Sequence, residues 1–166
     1  MSEGYTESLK QTLTTKNKRI WYDIRMLKAK YITVSRLFHF SAAHRLFREG
    51  LSAEENEKAF GKCSKVHGHD YVMKVTVRSV SEGANVDMVV NVSTLGEVVE
   101  KEVLSLVDRR NLLADVPFLA GVLPTMENIA KKIAERLEEP LQGIGAELYE
   151  LTLAESEKNS VTLHFV

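Results

Sequence analysis

Between Tyr71 and Val77 the chain alternates with a period of two. Tyr71, Met73, Val75 and Val77 fall on one side, and Val72, Lys74 and Thr76 on the other. This period dictates a β-strand with one apolar face, because successive strand side chains point to opposite sides of a sheet. The strand is expected over Val72 to Val80. His67 and His69 lie just upstream and share the parity of the apolar face, so both rings are aimed toward buried surface at the strand's mouth. Two imidazoles at i, i+2 are half of a zinc site, and a third nitrogen completes one that keeps an open position. His44 is the natural third ligand. Tyr31 to His44 is rich in β-branched and aromatic residues and reads as a strand on which Phe40, Ala42 and His44 share a face. His39 falls on the opposite face and is not counted as a ligand.

Composition bounds the rest. A chain of 166 residues, 44% hydrophobic and 27% charged, is one globular domain's worth. A formal net charge of −1 gives no global attraction to nucleic acid or to an anionic membrane. No apolar run approaches the roughly 20 residues of a membrane span. One cysteine, Cys63, excludes an internal disulfide and suits a reducing compartment. With no secretory-type apolar segment after Met1, the expected location is the cytoplasm.

Residues 1–30 stand apart. Lys10, Lys16, Lys18, Arg19, Arg25, Lys28 and Lys30 face only Glu3, Glu7 and Asp23, while Ile20, Trp21, Ile24 and Leu27 recur at helical spacing. This basic arm reads as a short amphipathic helix packing on its own domain or on a neighbouring subunit. Attachment to nucleic acid or a membrane surface, or an organellar transit segment, are the alternatives its charge leaves open.

Residues 31–166 read as one domain. Ser52 and Glu55 form a helical capping box, so the polar stretch from Arg45 to Phe60 reads as a loop with a short helix. Glu82 to Asn85 is a turn signal, and Val86 to Val92 is expected as a second strand, closing a hairpin. Thr94 and Glu97 then suggest a capping box for a helix on which Leu95, Val98, Val99, Val103, Leu106 and Val107 recur. Asp108 to Asn111 ends that helix and begins a loop. Pro124 and Thr125 open a second helix, closed by Pro140 and Gly143. Glu147 to Glu155 and Ser160 to Phe165 are the last strands. Tyr149, Leu151 and Leu153 are followed on the same face by Glu155, and a carboxylate that continues an apolar stripe calls for a partner. The order ββααββ indicates an α+β domain, an antiparallel four-stranded sheet with two helices on one face. Its open edges and far face favour oligomerisation.

The residues Phe40 to His44, Phe60 to Cys63, His67 to Tyr71, Met88 to Asn91, Asp108, Asp115 to Pro117, Thr125 to Asn128 and Glu155 follow one another in an order that resembles the 6-pyruvoyl-tetrahydropterin synthase family. That family includes the 6-carboxytetrahydropterin synthases of the queuosine pathway. The resemblance covers about residues 33 to 165. It implies a tunnelling-fold (T-fold) subunit, a homohexamer of two trimers with sites at subunit boundaries, and a lyase acting on 7,8-dihydroneopterin triphosphate. It further implies that His44, His67 and His69 bind Zn2+, that Cys63 is the general base, that Asp108 belongs to an Asp-His proton relay, and that Glu155 anchors the pterin. Thr125 and Glu127 fall among its substrate contacts, although a threonine cap and an early glutamate also suit the start of any helix.

Each role has a physical reason of its own. Three neutral histidines leave zinc its full charge and an open position, at which a substrate hydroxyl becomes more acidic. A thiol near a cation is shifted toward its reactive thiolate. A pterin offers an amino group and a ring N–H side by side, and one carboxylate accepts both.

Two departures matter. Three residues separate Cys63 from His67, a spacing associated with the carboxytetrahydropterin enzymes, while Leu51 to Cys63 looks like the pyruvoyl-tetrahydropterin synthases. Where the family has Asp-His, this chain has Asp108 and Arg109, and an arginine stays protonated where an imidazole would shuttle a proton. Arg109 is therefore expected to lower the pKa of Cys63 or to bind the triphosphate. Two rivals to the enzyme remain: a structural site in which Cys63 is the fourth zinc ligand, and a zinc- or pterin-binding T-fold oligomer that has lost turnover through the missing histidine.

Overall fold

The computed structural model describes residues 30–80 and 87–166. Apart from Lys30, the expected basic arm lies outside these residues, as does the expected turn over Glu82 to Asn85. In chain order the elements are β1 (Thr33–His44), α1 (Ala53–Phe60), β2 (His67–Ser79) and α2 (Val92–Val99). A π-helical stretch (Glu100–Leu104) carries α2 into the short α3 (Ser105–Val107). There follow β3 (Arg110–Asn111), α4 (Met126–Gln142), β4 (Ala146–Ser156) and β5 (Asn159–His164).

Four long strands form the expected antiparallel arrangement, in the order β1-β2-β4-β5. The sheet is nevertheless five-stranded and mixed, because the two residues of β3 pair in parallel with Ala42 and Ala43 on the outer edge of β1. Nothing apolar marks β3 in the sequence; backbone pairing holds it, helped by the Asp108 and Asp115 carboxylates, which accept from the Ser41 and Asn111 N–H groups.

The expected strand over Val86 to Val92 is a second correction. Residues 87–91 are irregular, and Val89 and Val90 are buried. The side chain of Asn91 accepts from the Ser93 N–H, so the helix starts at Val92, ahead of the Thr94–Glu97 pattern. Asparagine caps as well as threonine does, and the earlier cap wins. Helices are also more numerous than the two expected. The Ser52–Glu55 box is present and starts α1, whereas α4 continues past Pro140 to a cap at Gly143.

The π-helical stretch follows from the apolar spacing. Leu95, Val99, Val103 and Val107 recur every four residues, and all are fully buried. An α-helix of 3.6 residues per turn would rotate that row by about 40° at each step. The wider turn keeps it facing the sheet. There α2 meets β1 and α4, while α4 covers β4 and β5. Val75, Val77, Leu151 and Leu153 of the sheet face Ile129, Ile133 and Leu137 of α4 in one core. Full burial of each such side chain contributes about 1.5–3 kcal/mol.

The stripe expected from Tyr149 to Glu155 is interrupted. Thr76 faces Glu150 but Val77 faces Leu148, so a bulge leaves Tyr149 out of register. Leu148 packs on the core instead, and the Tyr149 hydroxyl lies 2.7 Å from that of Tyr31. A second irregularity in the β4–β5 ladder falls between Ala154 and Ser156, at Glu155.

Candidate metal and ligand site

The register of β1 against β2 sets His44 opposite His67 and Ala42 opposite His69. Strand parity turns all three histidines to the core side, where their rings cluster with centroids 4.6–5.1 Å apart. One ring nitrogen from each can be chosen so that all lie within 4.8 Å of one another. Two rings are fixed by backbone. His44 Nδ1 lies 2.8 Å from the Pro124 carbonyl oxygen, and His67 Nδ1 lies 2.8 Å from that of Lys65. A carbonyl only accepts, so Nδ1 carries the hydrogen in both and Nε2 keeps its lone pair, the form that ligates a metal. His44 is 3% exposed, and its Nε2 has no hydrogen-bond partner among the described residues. Burial lowers its pKa, which keeps the ring neutral. A buried ring nitrogen with a free lone pair, beside two more imidazoles, fits a divalent cation.

Cys63 does not join this group. Its thiol is free and exposed, in the 3-10 turn Gly61–Ser64 between α1 and β2, and its carbonyl accepts from the Leu46 N–H at 2.7 Å. Among the described residues the ion-sharing set is therefore the three histidines, without the sulfur.

Asp108 ends α3, and its Oδ1 accepts from the Ser41 N–H at 2.9 Å. Arg109 returns the connection, donating its backbone N–H to the Ser41 carbonyl at 2.6 Å. Its side chain is 89% exposed, with Nε 3.7 Å from Asp108 Oδ2. Glu155 reaches the histidines: Oε2 lies 4.0 Å from His69 Nε2, and both side chains are only 22% exposed. Thr125 caps α4 by accepting from the Asn128 N–H, and it follows Pro124, whose carbonyl holds His44. Glu127 is exposed; its own backbone N–H and then the Thr125 hydroxyl hold its carboxyl below the usual range, so it remains anionic. His39 is exposed and outside the cluster. Asp70, turned away as its parity requires, accepts from the Ser41 hydroxyl at 2.6 Å.

Sequence reasoning passed over three parts of this end of the sheet. Two are the carbonyls of Pro124 and Lys65, which have no side-chain signature. The third is Tyr71, 1% exposed, stacked on Phe40 at 4.8 Å and with its ring 5.6 Å from that of His69. Its hydroxyl has no partner among the described residues; burial and then the charge of Glu155 push its pKa well above the ordinary value. Its parity with His67 and His69 was the signal available.

An α+β subunit whose sheet ends in a three-histidine cluster is the class that fold and site define. Residues 33–164 match the family model described as 6-pyruvoyl tetrahydropterin synthase, and the chain belongs to that family. A 6-pyruvoyl tetrahydrobiopterin synthase of Homo sapiens is 41% identical over 130 residues, 77% of this chain and 88% of that one. One of Dictyostelium discoideum is 35% identical over 133 residues, 80% of this chain and 96% of that one. The solved structure of Caenorhabditis elegans 6-pyruvoyl tetrahydropterin synthase superposes with a TM-score of 0.71 at 36% identity, covering 83% of this chain and 98% of that one. The fold is thus the T-fold that the resemblance implies.

Proposed function

We propose that the chain is a zinc-dependent pterin synthase, a lyase that acts on 7,8-dihydroneopterin triphosphate and releases triphosphate. The product favoured is 6-pyruvoyl-tetrahydropterin, because the Homo sapiens and Dictyostelium discoideum relatives, each matched over more than three quarters of this chain, carry that name; 6-carboxy-tetrahydropterin is the alternative. The observation that carries the reading is the histidine cluster, with two rings pinned by carbonyls and ring nitrogens within 4.8 Å of one another. Zinc bound there supplies Lewis-acid polarisation of a substrate hydroxyl. Cys63, outside the ligand set, is the base that removes a side-chain proton, with Asp108 as its relay partner. Glu155, beside His69, accepts the paired N–H groups of the pterin, and Thr125 and the anionic Glu127 add contacts from the start of α4. Cys63 and Arg109 are exposed in the single chain, which suits a site completed at a subunit boundary in a hexamer of two trimers. In this reading residues 31–166 are the catalytic domain and residues 1–30 an accessory arm.

Incubation of the zinc-loaded chain with 7,8-dihydroneopterin triphosphate tests it, with product mass and triphosphate release as readouts. Absence of both would end the proposal. The second reading, an impaired or repurposed zinc- and pterin-binding oligomer, is favoured by one residue. Arg109 occupies the place of a proton-shuttling histidine with a charge that does not titrate. Arg109→His should raise turnover if that loss limits the chemistry; an unchanged rate and product would remove the position from the proton path.

A further inference from the structure

Beside His69, on the side of the β3 edge, a groove of about 430 Å³ opens to solvent. Ser41, His69, Asp70, Arg109, Arg110 and Asn111 contribute to its walls. Two of these are adjacent cations, and the backbone that presents them is under constraint. Arg109 is the only non-glycine with positive φ among the described residues, at 57°. L-residues adopt that conformation at a cost, so the surrounding structure must hold it there. Ser41 does so from both sides, bonding the Asp108 carboxylate through its N–H and the Arg109 N–H through its carbonyl. Arg110 follows on β3, opposite Ala42, and it is exposed.

Two carboxylates stand nearby and keep their charge. Asp70 Oδ1 takes the Ser41 hydroxyl, and Asp108 Oδ1 takes the Ser41 N–H, leaving Asp108 Oδ2 at 3.7 Å from Arg109 Nε. Arg110 has no ion pair among the described residues. Arg109 thus has one carboxylate partner and Arg110 none among the described residues, and each guanidinium, with five N–H donors in a planar fork, keeps donors for a ligand in the open groove. Phosphate oxygens match that fork, whereas a neutral ligand gives it nothing comparable. His69 is common to this groove and to the histidine cluster, so an anion held here adjoins whatever the cluster binds.

We propose that this groove is a polyphosphate subsite, with Arg109 and Arg110 as its cations, and that it receives the triphosphate arm of the ligand. The assignment of that arm rests on the function proposed above; the anion site itself does not. Arg109 is in this account a binding residue and not a proton carrier.

The probe is inorganic tripolyphosphate, titrated calorimetrically into the full chain. Wild type should bind it, with affinity that falls as salt rises. Arg109→Gln and Arg110→Gln should each weaken binding by about tenfold. Lys132→Gln, on the far helix, should match wild type. Both arginine side chains are exposed, so the melting temperature of each variant should stay at the wild-type value, which separates lost binding from lost folding. Equal affinity in wild type and both arginine variants, or no binding by wild type, overturns the subsite. Turnover distinguishes the two proposals. Arginine-dependent tripolyphosphate binding without turnover of dihydroneopterin triphosphate leaves the subsite standing and defeats the proposed function. Turnover with KM unchanged in both variants does the reverse.

Discussion

The two ends of the sheet satisfy their polar groups in different ways. At the end where β1 begins and β2 finishes, side chains pair with one another. The hydroxyls of Tyr31 and Tyr149 meet at 2.7 Å, Ser35 and Thr76 at 2.8 Å, and Arg78 Nε lies 2.5 Å from Glu147 Oε1. At the other end, His44 Nε2 and the Tyr71 hydroxyl are buried without a partner among the described residues. A buried polar group left unpaired typically costs about 1–3 kcal/mol, a penalty that the ligand proposed for this end would remove. One end pairs its polar side chains with one another; the other leaves two buried polar atoms without a partner among the described residues.

Substitutions can break that contrast. The largest effect is expected from His44→Ala, which should abolish stoichiometric zinc binding, measured by metal analysis after dialysis, while the same change at exposed His39 leaves zinc bound. Cys63→Ser should lower turnover by about 10²–10⁴-fold with zinc content unchanged. Loss of zinc with that substitution would instead make the sulfur a ligand and the site structural.

Acid should act more gently, on the metal-free chain. Burial holds the folded-state pKa of His44 below the ordinary histidine value of about 6.5. As pH falls through that value the unfolded chain takes up the proton first, so His44 withdraws stability as pH falls and none above it. Melting temperatures measured between pH 7.5 and 5.5 should decline, and His44→Gln should flatten the decline. The smallest effect belongs to the opposite end. Tyr149→Phe should leave the midpoint of a denaturant titration close to the wild-type value and zinc binding intact.

Legibility in the sequence follows the same division between local and distant causes. Alternation placed His67 and His69 on the core face, and parity on β1 placed His44 there and His39 opposite. Ser52 with Glu55, and Thr125 with Asn128, start helices because a cap needs only residues within three positions. Asn91 was overlooked because two adjacent cap signals compete, and the helix takes the earlier one. Tyr149 was misplaced because a bulge changes parity with no mark in composition. β3 was invisible because two residues paired through their backbone leave no period in the sequence.

What the residues alone determined is which side chains face the core, since that depends on a two-residue period and nothing more remote. They also determined that three imidazoles lie on strands able to meet. Register, the Pro124 and Lys65 carbonyls that fix two rings, the left-handed turn at Arg109 and the groove it borders were decided by tertiary structure. Each is a contact between segments far apart in the chain, and such contacts exist only after the sheet has closed.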